Sequence, residues 1–97
     1  MPRFLIEVAH GEEIVDCTKA ISVFLNSGSH FLTNADWGCM DGDHRAWIIV
    51  DLESKAEALA IVPPAFRSGA RVIGLNHFSM DQVDEILKRR KSAKGSQ

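Results

Sequence analysis

Hydrophobic positions along this chain change their period several times, and each change marks an element. Arg3 to Ala9 reads R-F-L-I-E-V-A, a short run of strand formers ended by His10-Gly11. From Glu12 the spacing lengthens: Ile14, Cys17, Ile21, Phe24 and Leu25 recur at three and four positions, one face of a helix. Glu12, Glu13 and Asp16 crowd its first turns, where the helix dipole favours anions, and Gly28 supplies a left-handed stop. On this stripe Cys17 reads as a small buried hydrophobe.

Ser29 to Met40 and Asp43 to Leu52 read as two strands joined by Asp41-Gly42, a strong hairpin signal because the tight turn needs positive φ at its centre. Cys39 then lies near the hairpin tip as a partly exposed thiol. Ser54-Lys55-Ala56-Glu57 is a capping box opening a second helix, with Ala56, Leu59 and Ala60 expected inward. Pro63 and Pro64 stop it and push Val62 toward extended geometry. Ala70 to Asn76 is a fourth strand. Ser79-Met80-Asp81-Gln82 caps a last helix carrying Val83, Ile86 and Leu87. The order is β-α-β-β-α-β plus a terminal helix. It predicts an α+β, ferredoxin-like domain over residues 1–91, with a four-stranded antiparallel sheet and helices on one face. Residues 92–97 are expected to form a basic, polar tail.

A sheet with helices on one face should alternate apolar and polar positions. Here both parities are apolar: Phe4, Ile6 and Val8 alternate with Leu5, Glu7 and Ala9, and Ala46, Ile48 and Val50 with Trp47, Ile49 and Asp51. Trp47 and Ile49 facing water would form a patch that asks for a partner. Two sheets stacked face to face would bury it and enclose a cleft, so a homodimer is expected. A two-residue Asp41-Gly42 turn sets Asp36 opposite Trp47, Asn34 opposite Ile49 and Leu32 opposite Asp51 on that open side. Trp37 with Ala46, Ala35 with Ile48 and Thr33 with Val50 then fall under the helices. A bulge at Gly38 would exchange the two sets of the second strand.

Composition adds exclusions. At 97 residues, 45% hydrophobic and 25% charged, the chain suits one soluble domain. Its longest uninterrupted apolar run, Ala46 to Val50, is strand-sized, so no membrane association is expected. Arg3, Glu7 and His10 stand where a signal peptide would be apolar, and two free thiols suit a reducing compartment, so a cytoplasmic location is expected. All 13 acidic residues lie at or before Glu85, whereas Lys88, Arg89, Arg90, Lys91 and Lys94 crowd the end. Cations there offset the helix dipole, and an acidic body repels phosphate backbones, so nucleic-acid binding is not expected.

The run Pro63-Pro64-Ala65-Phe66-Arg67-Ser68-Gly69-Ala70-Arg71-Val72-Ile73 resembles the final crossover and strand of small bacterial proteins of the dimeric α/β-barrel superfamily, which includes muconolactone isomerases and cofactor-free monooxygenases. Topology and length extend the resemblance from Arg3 through Leu87. It implies a dimeric α/β barrel that binds a small carboxylated or aromatic metabolite, and a cofactor-free isomerase or oxygenase as the activity, but it assigns no catalytic residue. Separately, the opening Pro2-Arg3-Phe4-Leu5-Ile6-Glu7 is similar to that of tautomerases that use an N-terminal proline, the carboxymethyl-hydroxymuconate isomerases among them. It implies Pro2 as a secondary-amine catalyst once Met1 is removed. A non-catalytic binding or assembly module is the third alternative.

The open face supplies the candidate chemistry. Glu7, His30 and Asp36 are the candidate catalytic residues: an enclosed carboxylate loses solvation and suits a general base, with His30 as its acid partner. Asn34, Trp47, Asp51 and Arg67 are the candidate ligand-binding residues, Arg67 with Arg71 suiting a carboxylate. His10, His30, His44 and His77 fall in four different places, with no H-x-x-H, H-E-x-x-H or C-x-x-C spacing, so no metal is expected. No nucleotide-binding glycine motif or G-x-S-x-G elbow occurs either, and no cofactor is expected.

Overall fold

A computed structural model describes the backbone of residues 1–95 and the side chains of residues 1–90. Its elements are β1 (Arg3–Ala9), α1 (Ile14–Asn26), a single helical turn α2 (His30–Thr33), β2 (Asp36–Trp37), β3 (Arg45–Asp51), α3 (Lys55–Ile61), β4 (Ala70–Leu75) and α4 (Met80–Gly95). Short 3₁₀ segments cover Cys39–Asp41 and Pro64–Gly69. The four strands form one antiparallel sheet in the order β2-β3-β1-β4, an α+β arrangement consistent with a ferredoxin-like layout. The side chains of the tail expected at 92–97 lie outside the described residues. No helix among the described residues is long and apolar enough to cross a membrane.

One parity of the central strands makes the core. Phe4, Ile6 and Val8 of β1 and Ala46, Ile48 and Val50 of β3 are buried, together with Cys17, Ala20 and Phe24 of α1, Leu32 of α2, Ala58 of α3 and Val62. Phe24 is the hub, its ring 4.9 Å from Trp37 and 5.8 Å edge-on from Phe66. The largest of these side chains each contribute about 1.5–3 kcal/mol by leaving water. The other parity stays open: Leu5, Trp47 and Ile73 are half-buried and Ile49 is 64% exposed.

Several boundaries differ from the sequence expectation. The segment read as a strand from Ser29 begins as a helical turn, because the Ser29 hydroxyl accepts a hydrogen bond from the Leu32 N–H and caps it. Asn34 ends the turn, its side-chain amide donating back to the His30 carbonyl at 2.7 Å. Only Asp36 and Trp37 remain as strand, in the expected register opposite Trp47 and Ala46. Asn34 therefore does not pair with Ile49, nor Leu32 with Asp51, and Leu32 is core.

The hairpin tip is also wider than two residues. The Asp43 N–H donates to the Gly38 carbonyl at 2.9 Å, and Gly42 alone takes positive φ, at 81°. In α1 the buried stripe is Cys17, Ala20 and Phe24; Ile14 and Leu25 are exposed. In α3 the buried residue is Ala58, while Ala56, Leu59 and Ala60 face outward. The Ser79–Gln82 box closes reciprocally at 2.8 and 3.1 Å, but at Ser54 only half the box forms, and Glu57 caps the Glu53 N–H instead.

Candidate metal centre

At one end of the sheet, antiparallel pairing carries three functional side chains into a row. β1 pairs with β3 through Ala9 opposite Arg45, and one step further the His10 N–H donates to the His44 carbonyl at 3.1 Å. β3 pairs with β2 through Ala46 opposite Trp37, and the Gly38 N–H donates to the Arg45 carbonyl. Beyond Gly38 the chain turns into the 3₁₀ segment that starts at Cys39, so His10, just past β1, His44, just before β3, and Cys39, at the hairpin tip, come together at this end. Cys17, in the first turn of α1, adds a fourth side chain as its N–H bonds the Glu13 carbonyl.

The four donor atoms lie within 4.8 Å of one another. Cys17 Sγ is 3.2 Å from His44 Nδ1 and 3.7 Å from His10 Nδ1, and Cys39 Sγ is 3.2 Å from His10 Nε2. A tetrahedral ion at ordinary zinc–sulfur and zinc–nitrogen lengths separates its ligand atoms by roughly 3.3–3.8 Å; the two 3.2 Å contacts lie close to that range. The second shell fits too. His10 Nδ1 lies 3.0 Å from the Gly11 carbonyl, which can only accept. The Nδ1 proton therefore points at that oxygen and Nε2 is left as the ligand atom, the orientation by which metal-binding imidazoles are held. Cys17 is 6% exposed, and the other three are half-buried. Burial pushes the Cys17 thiol up, with Cys39 and then Asp16 adding to the effect. Trp37 covers the inner side, its ring 5.7 Å from that of His10. Gly38 allows the hairpin to close: a Cβ there would stand 2.7 Å from the Asp43 carbonyl oxygen and 2.8 Å from the Trp47 ring.

Sequence analysis set the four histidines apart and expected no metal. The fold instead unites His10 and His44 with both cysteines. The available signal was that Cys39 and His44 flank the same Asp41-Gly42 turn. The contributions of β1 and α1 depend on long-range pairing that no short motif records.

The side chains expected to do chemistry divide into two groups. Glu7, Trp47 and Asp36 share one cross-strand row on the open face. Glu7 is not a free base: its Oε1 accepts from Trp47 Nε1 at 3.1 Å and Arg45 at 3.3 Å, and Arg71 stands 3.6 Å from Oε2. Asp43, then Glu7, push the Arg45 guanidinium further up. His30 and Asn34 lie instead on α2 and line a groove of about 370 Å³ with Ile49 and Asp51. Glu7 and His30 therefore sit on different elements, the first on the central strand β1 and the second on α2. Asp51 pairs with Arg3 at 3.2 Å. Arg67 donates to the Val62 and Ala60 carbonyls at 2.8 and 3.2 Å, closing the end of α3 rather than presenting its fork to a ligand. Pro2 is exposed, and its carbonyl accepts from the Leu52 N–H. No family model, no curated protein and no solved structure matches this chain.

Proposed function

We propose that this protein binds one divalent transition-metal ion, zinc by preference, through His10, Cys17, Cys39 and His44, and that the ion staples the fold. The convergence of two thiols and two imidazoles from three separate stretches of chain, with no carboxylate among them, carries the reading. Mixed sulfur–nitrogen sets favour zinc over magnesium or calcium, which take oxygen. Four protein ligands leave no coordination position for substrate, so the role is structural. The ion would tie the end of β1, the start of α1 and the β2–β3 hairpin together where the apolar core thins out. Cobalt substitution tests this on the full chain. Tetrahedral cobalt with thiolate ligands gives strong d–d bands and a sulfur-to-metal charge-transfer band. Both should appear at one equivalent, weaken in Cys17→Ser and Cys39→Ser, and be displaced by zinc. Weak octahedral absorption without a thiolate band would refute it.

A second reading rests on Ile49, 64% exposed on a sheet face that no helix covers among the described residues. In that reading two copies oppose these faces as a dimeric α/β barrel and enclose a small-molecule cleft near Trp47 and the Glu7 cluster. Ile49→Asp should then abolish ligand binding and face-to-face pairing, as read by analytical ultracentrifugation and by native mass spectrometry of co-purified ligand. A chain that sediments identically with and without the substitution contradicts this reading and leaves the metal reading standing.

A further inference from the structure

We infer that the Cys17–Cys39 pair is a redox switch: a hydroperoxide joins the two sulfurs in a disulfide, and the site thereby gives up its metal. The inference rests on the zinc reading of His10, Cys17, Cys39 and His44 and adds the regulation of that site. Cys17 and Cys39 are the only cysteines of the chain, and both are free thiols. Their sulfurs belong to one cluster whose donor atoms lie within 4.8 Å of one another. A disulfide of about 2.05 Å therefore asks each sulfur to move by at most about 1.4 Å. Cys17 is buried on α1 and packed in place. Cys39 is the movable partner. It opens the 3₁₀ segment Cys39–Asp41 at the hairpin tip, between Gly38 and Gly42, where no residue belongs to the hydrophobic core cluster.

The two thiols differ in access, and that sets the order of events. Cys39 is half-buried and its neighbour Met40 is fully exposed, so a solute reaches the tip before it reaches Cys17. As metal ligands both sulfurs are thiolates, the form that attacks peroxides. The Cys39 thiolate attacks the hydroperoxide: a sulfur–oxygen bond forms, the oxygen–oxygen bond breaks, and hydroxide or alkoxide leaves. The Cys17 thiolate then attacks the sulfenic sulfur: the sulfur–sulfur bond forms, the sulfur–oxygen bond breaks, and hydroxide leaves. Two thiolates give up two electrons in all, the peroxide takes both, and zinc keeps its charge. Disulfide sulfurs carry no charge to offer a divalent ion, and His10 and His44 alone hold it weakly. The disulfide keeps α1 tied to the hairpin tip but leaves the end of β1 without its share of the staple.

The test uses the full chain, reduced and loaded with zinc, its metal content counted first by native mass spectrometry. Hydrogen peroxide is then added in modest excess, and zinc release is followed with a chromophoric chelator. One zinc ion per chain should be released in step with the loss of both thiols, and peptide mapping should find Cys17 joined to Cys39. A thiol reductant with added zinc should restore the loaded mass. Without peroxide, zinc and both thiols should stay in place. Met40→Leu should release zinc at an unchanged rate, because the exposed thioether takes no part. In Cys17→Ser the sulfenic acid on Cys39 has no second thiol to meet, so its capture by dimedone should rise roughly tenfold or more. Zinc retained with both thiols intact overturns the inference, and so does release with sulfinic or sulfonic acids or with disulfides between chains. Those results leave the proposed centre standing, because zinc was counted before the oxidant was added. A chain that holds no zinc at the outset refutes the centre and the switch with it.

Discussion

Two polar clusters sit on this sheet, one at its end and one on its open face, and they differ in the chemistry of the groups they bring together. On the open face Glu7 is already occupied: an indole N–H and one guanidinium donate to it, and a second guanidinium stands nearby. Opposite charges meet within the cluster, and it can persist with no guest. The end cluster is built differently. Its two thiols and two imidazoles are all soft or borderline metal donors, hydrogen-bonded to one another with their donor atoms within 4.8 Å. An ion bound there would replace the thiol–imidazole hydrogen bonds by four metal bonds, and the deprotonated thiols would balance its charge. A self-neutralised cluster reads as architecture; a convergent set of like donors reads as a site.

Removing the metal should give the largest effect. Structural zinc contributes on the order of 10 kcal/mol of apparent binding free energy in small domains, more than such a domain's usual margin. A strong chelator should therefore lower Tm by 10 °C or more, a shift of about the size expected for a few kcal/mol in a domain of this length. Calorimetry before and after chelation measures it, and an unchanged Tm would erase the distinction between the clusters.

The pH dependence should follow next. Zinc must displace the thiol protons, so apparent affinity should fall as pH drops, by up to about a hundredfold per unit when both thiols are protonated. A competition titration between pH 6 and 8 reads this. In the chelated protein the sign is different. Burial raises the Cys17 pKa above its ordinary 9.0, so the folded state holds that proton more tightly than the unfolded chain. Its contribution is intact below pH 9 and is lost as pH rises through the raised value. Denaturant midpoints of the chelated chain should decline above pH 9, and Cys17→Ala should remove that component.

Gly38→Ala should have an intermediate effect. Its Cβ has no room between the Asp43 carbonyl and the Trp47 ring, so the hairpin tip and Cys39 must shift, at a cost of about 1–3 kcal/mol. Zinc affinity should fall with stability in this variant, although no ligand is altered. Glu7→Gln should do least, below about 1 kcal/mol, because the amide oxygen can still accept from Trp47 and the lost ion pairs involve partly exposed arginines. Urea unfolding distinguishes the two.

How much of this could be read from the chain differs by element. The three longer strands and the capped starts of α3 and α4 were legible, because their signals are local: short runs of strand formers, a Ser three residues before an acceptor, a proline pair. His30 to Thr33 was misread because a run of four residues fits a strand or a helical turn equally well, and only the Ser29 cap favoured the turn. The inward face of α3 was missed because a helix of seven residues has too few turns for its stripe to be fixed by periodicity. The site was half legible. Cys39 and His44 flank the turn that Asp41-Gly42 announces. His10 joins them only once β1 is known to lie beside β3, and Cys17 only once α1 is seen to begin over that corner.

Native mass spectrometry of the full chain, purified without chelator and without added metal, tests the central claim most directly. The account predicts one zinc ion per chain with two protons displaced, and loss of that species in Cys17→Ser. The bare chain mass, or a chain lighter by two protons from a Cys17–Cys39 disulfide with no metal attached, would contradict it.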